Sequence, residues 1–346
     1  MNNDHTNAEV ILAVPLDQPE RLFAGDGSDL KQEWRELAAL WHPDRNPHET
    51  RANEVLQHIN VLYDAAQQKL ATGQWEGSGV LMLDDRNGAR RELRYRRMSR
   101  FELGECYIGD AFVAFALEKA SRDLFDAAVQ TIGGFRYADD AMRREVARGL
   151  PRLEATAETA ERLVLVVRRK TDMVMLGDLI RHFGGRLDPR HAAWIVSGLS
   201  SLACYLEWAG IMHGAIAPDT VFVSPKHHTV AVLGGWWYAT RTGERLRALP
   251  QRTLNSVPPI VMDIKRATCA VDQELIRQLA REMLGDPGGT KLLRDKSVPT
   301  AFARWIAHPP ARSAYADYCN WEKAREASFG ARKFIELPVH PGDIYR

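Results

Sequence analysis

The stretch "LAALWHPDRNP", residues 37–47, constrains this chain more than any other. Leu30, Trp34, Leu37, Ala38 and Trp41 recur at the spacing that lays one apolar stripe along a helix, and Ser28 or Asp29 stands where its N-cap belongs. Pro43 has no backbone N–H and its ring clashes with the preceding turn, so the helix has to stop before it. A second stripe runs through Ala52, Val55, Ile59, Leu62, Tyr63, Ala66 and Leu70, with Glu54, Gln57, Asp64 and Lys69 on the opposite face. Two amphipathic helices joined by so tight a polar segment form an antiparallel hairpin. Its corner carries His42, Pro43 and Asp44, which serve either as helix-end caps or as a contact for another molecule.

The remainder is too long to be an appendage of that hairpin. At 346 residues the chain exceeds what one core usually supports, so two or three structural units are expected. Hydrophobic residues make up 45%, charged ones 26%, and the net charge is +1, which describes an ordinary globular protein and excludes a disordered tail or a global nucleic-acid binder. Cys106, Cys204, Cys269 and Cys319 are widely spaced and form no CxxC pair, so reduced thiols are expected, with neither zinc nor disulfides. The opening "MNNDHTNAEV" lacks the basic start and apolar core of a signal peptide, and no window approaches the roughly 20 apolar residues that span a bilayer. A cytoplasmic location without membrane contact is the expectation.

Composition changes at "TGQWEGSG", residues 72–79, where Gly and Ser mark a linker and a domain boundary. Beyond it, "RELRYRRM", "CYIGDAFVAFAL" and "RLVLVVRR" have the character of short strands. Helical periodicity follows over 191–208, through Ile195, Leu199, Leu202 and Leu206, and over 272–284, through Leu275, Leu279 and Met283. The fold class expected is multidomain α+β.

A helical hairpin whose turn carries His-Pro-Asp resembles the J domain of the DnaJ family. "SDLKQEWRELAALWHPDRNP" is similar to that family's second helix and "EVLQHINVLYDAAQQKL" to its third. The resemblance implies that residues 1–72 form an all-α module in which His42, Pro43 and Asp44 trigger ATP hydrolysis in a DnaK-type chaperone, beside a basic helix face. The chemistry suits that role: Pro43 stiffens the turn, and Asp44 offers a carboxylate for a charge-assisted pair with an arginine. The basic face is thin, with Lys31 and Arg35 offset by Glu33 and Glu36 and with Arg45 beyond the turn, so weak electrostatic steering is expected.

"LACYLEWAGIMHGAIAPDTVFVSPKHHTVAVLGGWWYA", residues 202–239, resembles the catalytic-loop region of protein kinases, with His213, Pro218, Val221, Phe222 and Val223 in the family's frame. The resemblance implies a β-rich N-lobe at 80–176, a helical C-lobe at 177–335 and a tail at 336–346, after a linker at 73–79. The residues that carry catalysis do not match. Ala215 stands at the catalytic Asp, Ala217 at the loop Lys, Thr220 at the metal-binding Asn and Gly234 at the D-F-G Asp. Upstream, "FVAFALEKA" places Ala116 at the phosphate lysine, with Lys119 three residues on. The glycine-rich loop is reduced to Gly104 and Gly109, with Glu102, Glu105 and Asp110 where they would repel a triphosphate. Glu145 is either the relic of the helix-C glutamate or a surface residue, and Asp272 resembles the structural Asp that braces the catalytic loop from below. Without its base and both metal ligands, phosphoryl transfer loses most of its electrostatic stabilisation.

Other signals carry less. Seven arginines between Arg86 and Arg100, with Tyr95 among them, are expected to be solvated or paired within the chain, and nucleic acid is not expected as a partner. His227 and His228 are adjacent, which seldom suits a single metal, so no metal or cofactor is assigned. Trp236 and Trp237, beside Gly234 and Gly235, are expected to let one ring fill the vacant nucleotide cleft. The reading as a whole is a co-chaperone adaptor with a pseudokinase module that binds a protein client. Its rivals are an atypical kinase using Asp219, Glu118 or Lys119, and a purely structural assembly component.

Overall fold

The computed structural model describes residues 8–16, 19, 22–23, 30–46, 49–71, 79–84, 90–159, 162–257 and 265–345. The expected cap at Ser28 or Asp29, linker residues 73–78 and Arg86 lie outside them. The architecture is mixed α and β, divided into one unit comprising Met1–Gly79 and Arg97–Ser99 and another comprising Val80–Arg96 and Arg100–Arg346.

In the first unit, α1 (Ala8–Leu12), α2 (Leu30–Leu40) and α3 (Ala52–Ala71) share one core. Leu30, Leu37 and Trp41 meet Val55, Ile59, Leu62 and Ala66, which are the two stripes that the periodicity demands. Trp34 stacks on Tyr63 with centroids 4.9 Å apart, and its Nε1 donates to Asn60 Oδ1 at 2.9 Å. Contacts running from 34 back to 60 and 63 across a short turn make α2 and α3 antiparallel. His58 Nε2 lies 2.9 Å from the Val14 carbonyl and ties in the segment after α1.

Beyond α3 the chain forms a hairpin of β1 (Gly79–Asp84) and β2 (Arg90–Tyr95), followed by β3 (Arg97–Phe101), β4 (Gly104–Ile108) and β5 (Phe112–Glu118), which apart from Gly79 and Arg97–Ser99 belong to the second unit. Next come α4 (Arg122–Gly133), α5 (Asp140–Val146), β6 (Leu153–Glu158) and β7 (Arg162–Arg168). Strands β3 to β7 form one sheet in the order β3-β4-β5-β7-β6, with β4–β5, β5–β7 and β6–β7 antiparallel. The expected strand "CYIGDAFVAFAL" is therefore parts of two strands and their turn, and "RELRYRRM" breaks at Arg96. Strand β5 is buried on both faces, a run that needs cover above and below. Val113, Phe115 and Leu117 face inward, in one core with Leu124, Phe125, Ala128 and Ile132 of α4. Ala114 and Ala116 face outward under Leu81, Leu83 and Leu93 of the hairpin.

After β8 (Val174–Met175) the chain is mainly helical: α6 (Leu176–His182), α7 (Pro189–Ala209), α8 (Gln251–Ser256), α9 (Cys269–Met283), α10 (Thr300–Ala307), α11 (Ala314–Phe329) and α12 (Pro341–Ile344). Helix α7 is buried through Ile195, Val196, Leu199 and Leu206, as expected for a central helix, and packs against α9 and α11. Short strands β9 (Ile211–Met212), β10 (Val221–Ser224), β11 (Thr229–Val232) and β12 (Thr240–Arg241) frame the loop between β9 and β10. The segment expected to be a tail is anchored by buried Leu337 and Tyr345. Among the described residues no helix is long and apolar enough to cross a membrane.

Candidate functional site

The corner after α2 is built from its own backbone. His42 is extended at φ −64° and ψ 130°, and Pro43 opens a 3-10 turn over Pro43–Arg45. His42 Nδ1 accepts the Asp44 N–H at 3.2 Å, so the capping role is real. With Nδ1 an acceptor, the proton of the neutral ring sits on Nε2. Asn46, which the sequence reading passed over, knits the turn to α2: its side-chain amide donates to the Leu40 carbonyl at 2.6 Å and to that of His42 at 3.2 Å. Asn at a turn is its only sequence signal. The carboxylate of Asp44 is 89% exposed and the His42 side chain 51%. Lys31 and Arg35, four residues apart and thus on one face of α2, are exposed, as is Arg45.

In the second unit the loop after β9 is fully buried at His213. Asp272, in the first turn of α9, accepts the His213 N–H and the Gly214 N–H, each at 2.7 Å. Burial pushes the Asp272 carboxyl up to about 6 even so. His213 Nδ1 accepts the Ala215 N–H at 3.2 Å, which leaves Nε2 to donate to the Gly234 carbonyl at 3.0 Å. Burial pulls the imidazole down to about 4, so it is neutral at pH 7. Thr220 Oγ1 donates to the Ala215 carbonyl at 2.7 Å and accepts the Ala217 N–H at 2.9 Å. His213, Ala215, Ala217, Thr220, Gly234 and Asp272 are thus brought together, joined by bonds from the Asp272, His213 and Thr220 side chains to backbone groups of the loop.

Beside this loop three rings pack together. Trp237 stacks on Phe101 at 4.9 Å and meets Phe115 edge-on at 5.2 Å. A Cβ at Gly234 would lie 2.9 Å from the Phe115 ring, so no carboxylate fits at 234 while Phe115 stays in place. Trp236 lies deeper, its edge on His213 at 4.7 Å and its Nε1 donating to the Val232 carbonyl at 2.9 Å. Glu102, in the turn between β3 and β4, reaches the other side of the ring cluster: Tyr238 Oη and the Gln251 N–H, at the start of α8, each donate to it at 3.3 Å.

Several expected neighbours are separated. Ala116 faces the outer side of the sheet, opposite Glu105 and Val164, so the side chain presented inward beside it is Phe115. Glu105 shares that outer face, where Tyr107 Oη donates to it at 2.8 Å. Asp110 lies in the β4–β5 turn and pairs with Arg96 at 3.0 Å. A five-residue strand, about 17 Å long, separates that turn from Glu102, so the three carboxylates do not converge. Lys119 and Arg122 pair with Glu158 at 3.4 and 2.5 Å, and Glu118 lies 3.6 Å from Arg162, which holds them at the end of the sheet. Glu145 is exposed on α5 and paired with Arg148; the helix packed under the sheet is α4. Asp219 is exposed beside Pro218. Among the described residues no three His, Cys, Asp or Glu side chains are grouped to hold a metal. No family model matches the chain, and no curated protein matches it.

Proposed function

We propose that this chain is a J-type co-chaperone adaptor: its helical hairpin recruits and stimulates a DnaK-type ATPase through His42, Pro43 and Asp44, and its second unit is a kinase-like, non-catalytic module that binds a protein client. The observation that carries the first half is the outward presentation of the Asp44 carboxylate and the His42 edge on a turn stiffened by Pro43 and Asn46. An arginine on the partner could take the carboxylate in a charge-assisted pair while the imidazole Nε2–H donates beside it. Lys31, Arg35 and Arg45 supply a small cationic flank, which suits a weak, transient encounter.

The kinase-like half rests on the β3-β4-β5-β7-β6 order with α4 entering after β5, and on Asp272 holding the loop backbone at His213 and Gly214. A phosphoryl-transfer site needs a base, a phosphate cation and metal ligands. Here Ala215, Ala217, Thr220 and Gly234 stand at the loop positions, and Phe101, Phe115 and Trp237 occupy the space beside them. The ion pairs of Lys119 and Glu118 at the sheet end weigh against their use as displaced catalytic groups.

The test is the steady-state ATPase rate of a DnaK-type chaperone with added full-length chain. Stimulation by the wild type that disappears with His42→Gln, at unchanged circular dichroism, is the expected result. Equal stimulation by the variant and the wild type would overturn the reading.

A further inference from the structure

One concavity in the second unit lies away from the loop and its rings. It is a cavity of about 910 Å³ between α5, α7, the β10–β11 turn and the chain after α11. That volume falls in the range of small-molecule sites, roughly 300 to 1,000 Å³. Its lining has five cations, Arg148, Arg190, Arg325, Arg332 and Lys333, against one carboxylate, Glu145. Arg148 is neutralised by Glu145, and Arg325 and Arg332 share Glu322. Arg190 and Lys333 are exposed and hold no ion pair among the described residues. In a chain of net charge +1, this local excess of positive charge stands out.

The same wall carries a ladder of rings. His228 stacks on Trp194 at 4.5 Å with planes 3° apart, and Phe334 covers its other face at 4.2 Å. His228 adopts φ +47°, a conformation uncommon outside glycine, and the ring stack accompanies it. Burial lowers the His228 pKa, which favours the uncharged ring. Phe334 is 66% exposed where it lines the cavity, leaving ring surface for a further planar group. A loose cation cluster would attract any polyanion; cations beside an exposed ring in one open concavity favour an anion that also carries a flat apolar group.

We propose that this cavity binds a nucleoside phosphate, with its phosphates on Arg190 and Lys333 and its base against Phe334. The site is separate from the ring-filled loop region, so it requires no phosphoryl transfer by this chain.

The test is isothermal titration of the full chain with ATP, AMP, adenosine and tripolyphosphate. ATP is expected to bind more tightly than adenosine or tripolyphosphate by about tenfold or more. Arg190→Glu with Lys333→Glu is expected to weaken ATP by about tenfold. Phe334→Ala should weaken ATP and leave tripolyphosphate unchanged. Should the double variant lose its wild-type circular dichroism, Lys333→Gln alone provides the charge test, with weakened ATP binding again expected. Absence of ATP binding at about 1 mM overturns the proposal, as does binding indifferent to these charge substitutions. Equal affinity for tripolyphosphate, or equal competition by an acidic peptide, would make the cavity a general anion groove and also overturn it.

Discussion

Asp272 holds the backbone of His213 from 59 residues away, its Oδ2 accepting the His213 N–H at 2.7 Å. The two groups respond to burial in opposite senses, the carboxyl rising to about 6 from 3.8 and the imidazole falling to about 4 from 6.5. A carboxyl whose folded pKa exceeds its unfolded value loses stability as pH rises between the two. An imidazole whose folded pKa is depressed gains stability over its own interval. Between pH 4 and 6 the two nearly cancel in the wild type. Asp272→Asn removes the falling contribution, so the advantage of the wild type over this variant should shrink by about 3 kcal/mol across that window, read by urea unfolding. A constant difference would mean that the carboxyl titrates normally.

Trp237 fills the space between Phe101 and Phe115 and is almost wholly buried. Trp237→Ala should cost about 3–5 kcal/mol in urea unfolding, because rings packed on several sides cannot collapse onto the void. A loss under about 1 kcal/mol would show that the rings do not support one another.

Gly235 sits at φ +81°, and a Cβ there would lie 2.8 Å from His213 Cε1 and 2.9 Å from Ala215 Cβ. Gly243 has φ +85° with nothing within 4 Å of its Cβ position. Gly243→Ala therefore carries the backbone cost alone, about 1 kcal/mol, whereas Gly235→Ala adds steric overlap and should cost well over about 2 kcal/mol. Equal melting-temperature shifts would remove the steric part of that argument.

At the exposed corner, Asp44→Asn should leave stability within about 0.5 kcal/mol while reducing chaperone stimulation. Asn46→Ala should cost about 1 kcal/mol, because it loses the amide bonds to the Leu40 and His42 carbonyls. Thermal melts paired with the ATPase assay separate the two effects.

Much of this was legible where one physical cue dominates. Period-3.6 stripes located α2, α3, α7 and α9, and Pro43 marked the end of α2, because amphipathic helices write their buried face directly into the sequence. Strand β5 was legible as a strand but not in orientation. With both faces buried, no polar alternation distinguishes Ala116 from Phe115, so which of the two faces inward is not written in the local pattern. The carboxylates near β4 were grouped by sequence proximity, although a strand carries Glu102 and Asp110 to opposite ends. The His228 stack and the anchoring of Tyr345 depend on partners far along the chain, and local pattern does not encode those.

The Tyr345 hydroxyl accepts the backbone N–H of Met175 at 2.7 Å, across 170 residues, and its ring lies under the Arg169 guanidinium at 5.6 Å. The connector from β7 to α6 therefore cannot complete its bonding until the ribosome has made those later residues. At about 5–20 residues per second, that is a delay of roughly ten to thirty seconds. The contacts that join α2 to α3 span far fewer residues, so a nascent chain would display the His42–Asp44 corner while the rest of the molecule was still unfinished.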